Sequence, residues 1–219
     1  MLRPLAIAGY EVNGERRLMP ISEREIARAE SFILRLLGSE TLRRGSYALC
    51  IATMYDAADM IPFERVLAMK GLICCFSEAS PYDGARIEAA IRRFDISLVA
   101  VVTGTVLDAI RSLGFDPVKL FQGKVVWASG EGYAQLKGAE GLDLRRWAHL
   151  GPALAIEGKH GAGAHVDGRE WKIEPEGGAT YVSSRLDRAQ AFRRLRVDTT
   201  VKLNPEPCAS GLFGPRILP

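Results

Sequence analysis

The sequence has few cysteines and histidines, no long apolar stretch, and no strong excess of charge of either sign. Its 219 residues include 4 cysteines and 3 histidines, and 29 lysines and arginines against 26 aspartates and glutamates leave a net charge of +3. No apolar run reaches the roughly 18 residues that a membrane-spanning helix needs. The charge is too nearly balanced to indicate binding to nucleic acid or to an anionic membrane. We therefore expect neither of these partners.

The N-terminus and the cysteines both favour the cytoplasm. The apolar patch in residues 1–17 is broken by Pro4 and Gly9, and it lacks the long apolar stretch of a secretory signal. Cys74 and Cys75 are neighbours inside an apolar run, which is more typical of core thiols than of a disulfide framework. We expect a reduced, cytoplasmic protein of ordinary globular composition.

A capping box predicts the first helix. Ser22 and Glu25 have the spacing at which the serine oxygen accepts from a free backbone N–H group and the glutamate reaches back. Apolar residues then recur at helical spacing up to Leu37, and Gly38 follows them. The pattern predicts a helix over residues 22–37 with one buried face.

Strand and helix patterns alternate from residue 47 to residue 128. Short apolar runs predict strands over residues 47–53, 72–76, 96–102 and 124–128. Helical patterns between them cover residues 62–70, 84–94 and 104–113. Pro62 would then lie in the first turn of its helix, and Asp83 would cap the next one. This spacing implies a mainly parallel sheet with right-handed crossovers.

From about residue 150 the sequence becomes rich in glycine, and its patterns become shorter. Alternating stretches predict antiparallel strands over residues 170–174, 180–184 and 199–203. The proline-rich tail, residues 205–219, is expected to be irregular. The predicted fold class is α/β: a three-layer, mainly parallel sheet with flanking helices over residues 1–150. A smaller antiparallel β-rich region over residues 151–219 packs on it to give a single structural unit.

The loop at residues 8–15 is a first candidate for ligand binding. Small residues that offer backbone N–H groups before a helix can hold a phosphate. Here bulky residues occupy several of those places, and Glu11 and Glu15 would repel a triphosphate. The alternative is an ordinary hairpin turn at Asn13-Gly14.

A second candidate is the stretch Ser129, Gly130, Glu131 and Gly132, which follows a predicted strand and precedes a predicted helix. In a parallel sheet, ligands lie at the carboxyl ends of the strands. Small residues there would let a flat ring approach the backbone. The alternative is a strand-to-helix turn in which the glycines are needed only for the backbone conformation of the turn.

Histidines and arginines form two further groups. His160 and His165 flank a glycine-rich loop, and with Cys208 they could suggest zinc. Since no CxxC or HxxxH pairing is present and structural zinc needs four ligands, we expect exposed loop histidines and no metal. Five arginines lie between residues 185 and 196. Such a cluster can bind phosphate or carboxylate, or it can form a solvated, salt-bridged turn.

Five segments of the chain match, in order, the motifs of a known family. Residues 183–198, SSRLDRAQAFRRLRVD, are similar to T-[ST]-L-x-x-x-A-x-P-x-I-R-Y-R-T-x-D, and residues 205–217, PEPCASGLFGPRI, are similar to PCxCGRxxPRI. Residues 151–157, GPALAIE, are similar to GPGVAxE. Residues 129–131 and 8–17 fall where GAEP and SSGTTGKPT are expected. The chain thus resembles the adenylate-forming (acyl-CoA synthetase) superfamily, and most of all phenylacetate–CoA ligases.

The resemblance implies a nucleotide site. In that superfamily the aspartate matched by Asp198 holds the ribose hydroxyls of ATP, and Arg193 matches the first arginine of the same motif. The loop that contacts adenine is matched by Ser129, Gly130, Glu131 and Gly132. The resemblance therefore implies ATP, AMP or CoA as the ligand.

The sequence departs from the superfamily at several functional positions. The phosphate loop lacks its serine, threonines and lysine, Ala148 stands where a glutamate helps to hold magnesium, and Arg194 replaces a tyrosine. Some members bind zinc, and two of their four ligands are absent from the matching positions Gly158, His165, Cys208 and Ser210. The chain also starts at the phosphate loop and stops before the mobile C-terminal domain and its lysine. Because adenylation needs positioned cations and N–H donors, ligation by this chain alone is not expected.

Three functions remain open. The first is a degenerate member that binds a nucleotide, a CoA-like molecule or an aromatic or acyl carboxylate without adenylating it, in a cleft between residues 129–132 and 193–198. The second is an active acyl- or aryl-CoA ligase, or an acyl-transfer enzyme, completed by a partner chain. The third is a non-catalytic, dimeric interaction module. The first is the interpretation that we favour.

Overall fold

The computed structural model describes most of the chain. The described residues are 3–12, 14–160, 163–197, 199–206, 208, 211–212 and 214–218. They form two compact units, each made of segments that are discontinuous in the sequence. The first, called the hairpin unit, comprises Met1–Glu40, Met54–Phe63 and Ala148–Pro219. The second, called the βα unit, comprises Thr41–Thr53 and Glu64–Trp147.

The hairpin unit begins with two strands and a helix. Strands β1 (Pro4–Val12) and β2 (Glu15–Ser22) pair antiparallel, so this stretch is a hairpin, the alternative that the sequence left open. Asn13 of the predicted turn lies outside the described residues. Helix α1 (Glu23–Leu36) follows directly, and its capping box is confirmed, since the Ser22 and Glu25 side chains each accept from the other residue's backbone N–H group.

The βα unit is built from parallel strands alternating with helices. Its strands are β3 (Tyr47–Ile51), β4 (Ile73–Ser77), β5 (Ile96–Val102), β6 (Val125–Ser129) and β7 (Asp143–Leu150). Its helices are α2 (Ala57–Met69), α3 (Gly84–Arg93), α4 (Gly104–Ser112), α5 (Pro117–Phe121) and α6 (Gly130–Leu136). Helix α2 and strand β7 each contribute residues to both units. The strands run in the order β7-β6-β5-β3-β4, and every neighbouring pair is parallel.

Apolar side chains from the strands and helices form one core in the βα unit. Val99 and Val126 from the strands pack with Ile87 of α3 and Ile110 of α4, and all four are fully buried. Burial of each such side chain contributes about 1.5–3 kcal/mol. The continuous apolar strands that the sequence predicted are therefore the centre of this unit.

Two helix starts differ from their predictions. Helix α2 begins at Ala57, so Pro62 lies inside the helix and not in its first turn. Proline removes a main-chain hydrogen bond there, but the helix continues through Val66 and Leu67, which are fully buried. Asp83 does not cap α3 with its side chain. Its carboxylate instead accepts from the backbone N–H of Glu78, over 2.7 Å, and from a serine hydroxyl.

The remaining strands belong to the hairpin unit and are short. They are β8 (Ala153–Glu157), β9 (Ala164–Val166), β10 (Trp171–Glu176), β11 (Ala179–Ser184), β12 (Leu195–Val197), β13 (Leu203–Asn204) and β14 (Arg216–Ile217). Strands β10, β11 and β12 form a separate antiparallel sheet. The third predicted strand, 199–203, was misplaced, because the residues that pair with β11 are those of β12. The tail is not wholly irregular, since β14 pairs with β9 and β13.

The predicted α/β class is confirmed, and the large sheet is mixed. Nine strands follow one another in the order β13-β14-β9-β8-β7-β6-β5-β3-β4. Among the described residues, the strand pairs from β7 to β4 are parallel, and those among β8, β9, β14 and β13 are antiparallel. In the part of the chain that the structure describes, no helix is long and apolar enough to span a membrane.

Candidate functional site

The hairpin unit contains a polar cleft of about 330 Å³, here called the polar cleft. Four chain segments contribute its walls: the β1–β2 hairpin, the 3₁₀ turn Met54–Asp56, the end of β7 and the residues after β12. Its lining residues are Gly9, Tyr10, Glu11, Arg16, Tyr55, Asp56, His149, Gly151, Val197 and Thr199. Two cationic groups and two carboxylates thus face a space large enough for a small organic ligand.

The hairpin holds one of the two cations in place. Glu11 and Arg16 are directly paired across the two strands, and opposite charges at such positions attract. The Arg16 guanidinium lies 4.7 Å from the centre of the Tyr55 ring, a cation–π contact. Gly9 permits this approach, because a Cβ atom there would lie 2.9 Å from the Cβ of Tyr55. The hairpin therefore packs closely on the turn that carries Tyr55.

His149 is the second cationic group of the cleft. Its Nε2 atom lies 2.7 Å from Oδ2 of Asp59, on the first turn of α2. Desolvation alone would lower the pKa of His149, but the charge and hydrogen bond of Asp59, together with the charge of Asp56, outweigh it and raise the pKa. The imidazole is thereby favoured as a cation beside the cleft, where it can attract an anionic group.

Three segments that resemble superfamily motifs meet at the polar cleft. Gly9 to Arg16 belong to the segment matched to the phosphate loop, and His149 directly follows Ala148, matched to the magnesium-binding glutamate. Asp198 lies outside the described residues, but its neighbours Val197 and Thr199 both line the cleft. Sequence reasoning missed His149 and Asp59, because no local signal marks a pair separated by 90 residues.

The predicted adenine loop lies in the βα unit, at the end of β6 and the start of α6. A Cβ atom on Gly132 would lie 2.4 Å from the backbone oxygen of Val102, so this glycine is needed for close packing of α6 on the end of β5. The Glu131 carboxylate accepts from the Gln135 side chain over 3.0 Å. Nearby, Val101 has a φ of 63°, which is unusual for a β-branched residue and marks local strain. The part that Ser129, Gly130, Glu131 and Gly132 take in binding stays a prediction.

Arg193 belongs to the hairpin unit and is exposed just before β12. Arg194, which replaces the tyrosine of the motif, contacts residues of the small antiparallel sheet. Its side chain donates to Glu176 over 2.7 Å and lies 4.5 Å from the centre of the Tyr181 ring. Because Arg193 and residues 129–132 belong to different units, the predicted cleft between them stays a prediction.

One arginine of the predicted cluster is buried in an ion-pair network. Arg188 Nη2 lies 2.8 Å from Glu25 Oε1, and Arg188 Nη1 lies 3.0 Å from Glu170 Oε2. The guanidinium is 4.3 Å from the centre of the Trp171 ring, and Arg28 also donates to Glu170. We call these residues the ion-pair network. Since two carboxylates neutralise Arg188, it joins α1 to the C-terminal strands and is not a free phosphate ligand.

A small, mainly apolar cavity of about 60 Å³ adjoins this network. Met19, Ile26 and Phe32 contribute to its wall beside Glu25 and Arg188. A space of this size is much smaller than an ordinary ligand site. We therefore assign the ion-pair network to structure, which leaves the polar cleft as the candidate binding site.

His165 is not the exposed loop residue that the sequence indicated. It lies in β9, which is paired with β8 and β14, and it is only 2% exposed. Burial, with a smaller effect from the charge of Arg216, lowers the pKa of His165 to about 4. His160 is exposed, as expected. Among the residues that the structure describes, no group of three or more His, Cys, Asp or Glu side chains has a metal-binding arrangement.

Solved structures share this fold. An open conformation of 2-hydroxyisobutyryl-CoA ligase in complex with 2-HIB-AMP and CoA aligns with a TM-score of 0.68 and 14% identity, over 98% of this chain and 56% of that one. The o-succinylbenzoate CoA synthetase of Bacillus subtilis, with its product analogue, aligns with a TM-score of 0.60 and 10% identity, over 100% and 49% of the two chains. The N-terminal subdomain of Klebsiella oxytoca NpsA, in complex with 3-hydroxyanthranilyl-AMSN, aligns with a TM-score of 0.60 and 13% identity. The alignment covers 98% of this chain and 59% of that one.

No protein-family model and no curated protein matches the chain. The chain spans about half the length of the two CoA ligases, 56% and 49%. At these identities the likeness is one of fold. The chain has the fold of the adenylate-forming CoA ligases over nearly its whole length.

Proposed function

We propose that this chain is a cytoplasmic, ligase-like core that binds an adenylate in the polar cleft and does not complete adenylation by itself. The observation that carries the proposal is the meeting of three motif-like segments at one cleft, with Arg16 and His149 as its cations. Structures with the same fold hold 2-HIB-AMP or a 3-hydroxyanthranilyl-AMSN. Because the sequence resembles phenylacetate–CoA ligases, an aromatic acid is our proposed acyl group.

The charges of the cleft favour a ligand with one anionic centre. Glu11 and Asp56 line the same space as Arg16 and His149. The two cations can contact the single anionic centre of a phosphate monoester or a carboxylate. The two carboxylates leave the lining without net positive charge, so the additional charges of a triphosphate would be repelled. AMP, an acyl adenylate or an aromatic carboxylate therefore fits this cleft better than ATP.

The lining also explains why complete catalysis is not proposed. No lysine is among the described residues of the polar cleft. In adenylation a carboxylate oxygen bonds to the α-phosphorus of ATP while the bond to pyrophosphate breaks and pyrophosphate leaves. Enzymes stabilise the charge on the transferring phosphoryl group with metal ions, cations and N–H donors that are held in position. With these groups depleted, we expect binding to persist while turnover by the chain alone is lost.

Calorimetric titration of the purified chain with AMP, ATP, CoA and phenylacetate tests the binding proposal. AMP should bind more tightly than ATP, and His149→Gln should weaken AMP binding about 10-fold or more, the usual effect of losing a charge-assisted hydrogen bond. His160→Gln, which changes an exposed histidine outside the cleft, is the matched control. If none of the four compounds binds at millimolar concentration, or if His149→Gln binds AMP as tightly as the unaltered chain, the proposal is wrong.

The pH dependence of the same titration gives a second measurement. Since Asp59 and Asp56 raise the pKa of His149, the imidazole is charged below that raised pKa and neutral above it. AMP affinity should fall as the pH rises through this value, and the fall should be absent from His149→Gln. Pyrophosphate release from ATP and phenylacetate by the chain alone would contradict the loss of adenylation.

A second candidate function is completion by a partner chain, including a second copy. Ile7 and Leu18 are 61% and 58% exposed on the β1–β2 hairpin. The register places them on the same face as Gly9 and Arg16, which line the polar cleft. A chain docked on this apolar strip would therefore border the cleft.

Light scattering after gel filtration tests this candidate. A dimer that becomes a monomer in Ile7→Lys would support a second copy as the partner. For a different partner chain, pyrophosphate release should appear only when both chains are mixed, and it should be lost in Ile7→Lys. A monomer at all concentrations, together with no activity in any mixture, would leave ligand binding as the function.

A further inference from the structure

The βα unit contains two cysteines on one face of its sheet. Strands β3 and β4 are parallel, and their register pairs Ala48 with Cys74 and Cys50 with Phe76. Because side chains alternate along a strand, Cys50 and Cys74 point to the same face, whereas Cys75 points to the opposite one. The register makes Cys50 and Cys74 diagonal neighbours on that face, and each thiol shifts the pKa of the other. The fold thus holds a pair of thiols that the sequence separates by a whole strand–helix unit.

The two thiols differ in their surroundings. Cys50 is fully buried, and its strand has a neighbour on each side, β4 and β5. Cys74 is only half-buried, and its strand is the last one of the sheet order. The sequence predicted core thiols at Cys74 and Cys75, and this was wrong, because both are only half-buried. An oxidant in solution reaches Cys74 before it reaches the buried Cys50.

The interaction between the two thiols shifts their pKa values in opposite directions. Donation from Cys50 lowers the pKa of Cys74, although desolvation and the negative charge of Glu64 oppose it. The same hydrogen bond, together with burial, raises the pKa of Cys50. On the other face, burial raises the pKa of Cys75. Since the thiolate is the reactive form, Cys74 is the nucleophile of the three.

We propose that Cys74 and Cys50 form a peroxide-responsive dithiol, in which Cys74 is oxidised first and Cys50 converts the product to a disulfide. A low-pKa, accessible cysteine beside a second thiol is the usual arrangement of such sites. This role is independent of ligand binding in the polar cleft, which belongs to the other unit.

The chemistry requires one hydroperoxide and balances without any other reactant. The Cys74 thiolate attacks one peroxide oxygen, so an S–O bond forms, the O–O bond breaks, and the leaving oxygen takes up a proton to become water or an alcohol. The resulting sulfenic acid is then attacked by Cys50, which gives up its proton. An S–S bond forms, the S–O bond breaks, and water leaves. Two thiols are oxidised by two electrons, and the peroxide is reduced by two.

Closure of the disulfide needs a small movement of β4. Diagonal neighbours in a sheet lie further apart than directly paired residues, and a disulfide requires its Cα atoms within about 7 Å. Strand β4 has β3 as its neighbour in the sheet and ends the strand order. The movement therefore disturbs the hydrogen bonds between β4 and β3 and no second ladder among the described strands.

Peptide mapping after treatment with a slight excess of hydrogen peroxide tests the proposal. The unaltered chain should form a Cys50–Cys74 disulfide and lose two thiols and the mass of two hydrogen atoms. Cys50→Ala should instead accumulate a sulfenic acid at Cys74 that dimedone traps. Cys75→Ser, a change on the same strand but the opposite face, should behave like the unaltered chain.

Alkylation by iodoacetamide at neutral pH supplies a readout that does not depend on disulfide closure. Cys74 should react several-fold faster than Cys75, since the pKa of Cys74 is lowered and that of Cys75 is raised. Cys50→Ala, which removes the donor, should slow the alkylation of Cys74. Equal rates at Cys74 and Cys75, a disulfide to any cysteine other than Cys50, or trapped sulfenic acid without closure in the unaltered chain would each overturn the proposal.

Discussion

The two units of this chain are stabilised in different ways. In the βα unit several ion pairs are local: Arg92 lies one helical turn from Glu88, and Arg111 lies one turn from Asp108. In the hairpin unit the polar contacts of the ion-pair network cross long stretches of sequence. The contact of Arg28 with Glu170 spans 142 residues, and that of the Ala189 N–H with Glu25 spans 164.

This difference predicts which substitutions destabilise each unit most. An apolar core loses only the burial and packing of the group that is removed. A buried charge network loses more, because removing one partner leaves the others buried without compensation. We therefore expect the hairpin unit to depend on single charged residues, and the βα unit to depend on close packing.

The largest expected effect tests the ion-pair network. Arg188→Leu leaves Glu25 and Glu170 without their shared guanidinium and should lower the free energy of unfolding by about 3–5 kcal/mol in urea denaturation. Arg194→Ala, which removes a half-exposed arginine paired with Glu176, is the control. It should change stability by less than about 1 kcal/mol. Similar losses in both variants would show that burial of the charge network does not set its contribution to stability.

Acid should weaken the hairpin unit through His165. Its pKa is lowered from 6.5 to about 4 in the fold, so between these values the unfolded chain binds a proton that the folded chain does not. The free energy of unfolding should fall as the pH drops from 6.5 to 4, by up to about 3 kcal/mol.

Urea denaturation at several pH values between 7 and 4 measures this effect. His165→Gln should flatten the dependence on pH, whereas His160→Gln, on an exposed residue, should leave it unchanged. An equal slope in His165→Gln and in the unaltered chain would show that other groups cause the acid sensitivity.

A smaller effect is expected from close packing in the βα unit. Gly132→Ala places a Cβ atom 2.4 Å from the Val102 oxygen and should lower the free energy of unfolding by about 1–3 kcal/mol. Gly38→Ala is the control, since a Cβ atom there meets nothing within 4 Å. If Gly132→Ala is as stable as the unaltered chain but binds ligand less well, the absence of a side chain at Gly132 makes room for the ligand and is not needed for packing.

The sequence predicted the βα unit well because its signals are local. Strand β5 carries a continuous apolar run and was predicted at its observed bounds. Such patterns depend on neighbouring residues, which the sequence shows directly. The main errors there, at Pro62 and Asp83, concern helix starts, where tertiary contacts outweigh local preference.

The hairpin unit was harder to predict because its decisive contacts are distant in sequence. Strands β12 and β14 have three and two residues, too few for a periodic signal. His149 contacts Asp59, from which it is separated by 90 residues in the sequence, and no local sequence pattern predicts that contact. The resemblance to superfamily motifs did identify the segments that border the polar cleft, although it did not identify the histidine between them.

The position of β4 at the end of the strand order has a consequence for handling the protein. Ile73 and Phe76 are half-exposed on this strand, and among the described residues only β3 pairs with it. An open strand with apolar side chains is a template on which strands of other molecules can add, which leads to aggregation. Concentrated solutions should therefore be kept reduced and cold, because partial unfolding of β4 would expose the part of the molecule most prone to self-association.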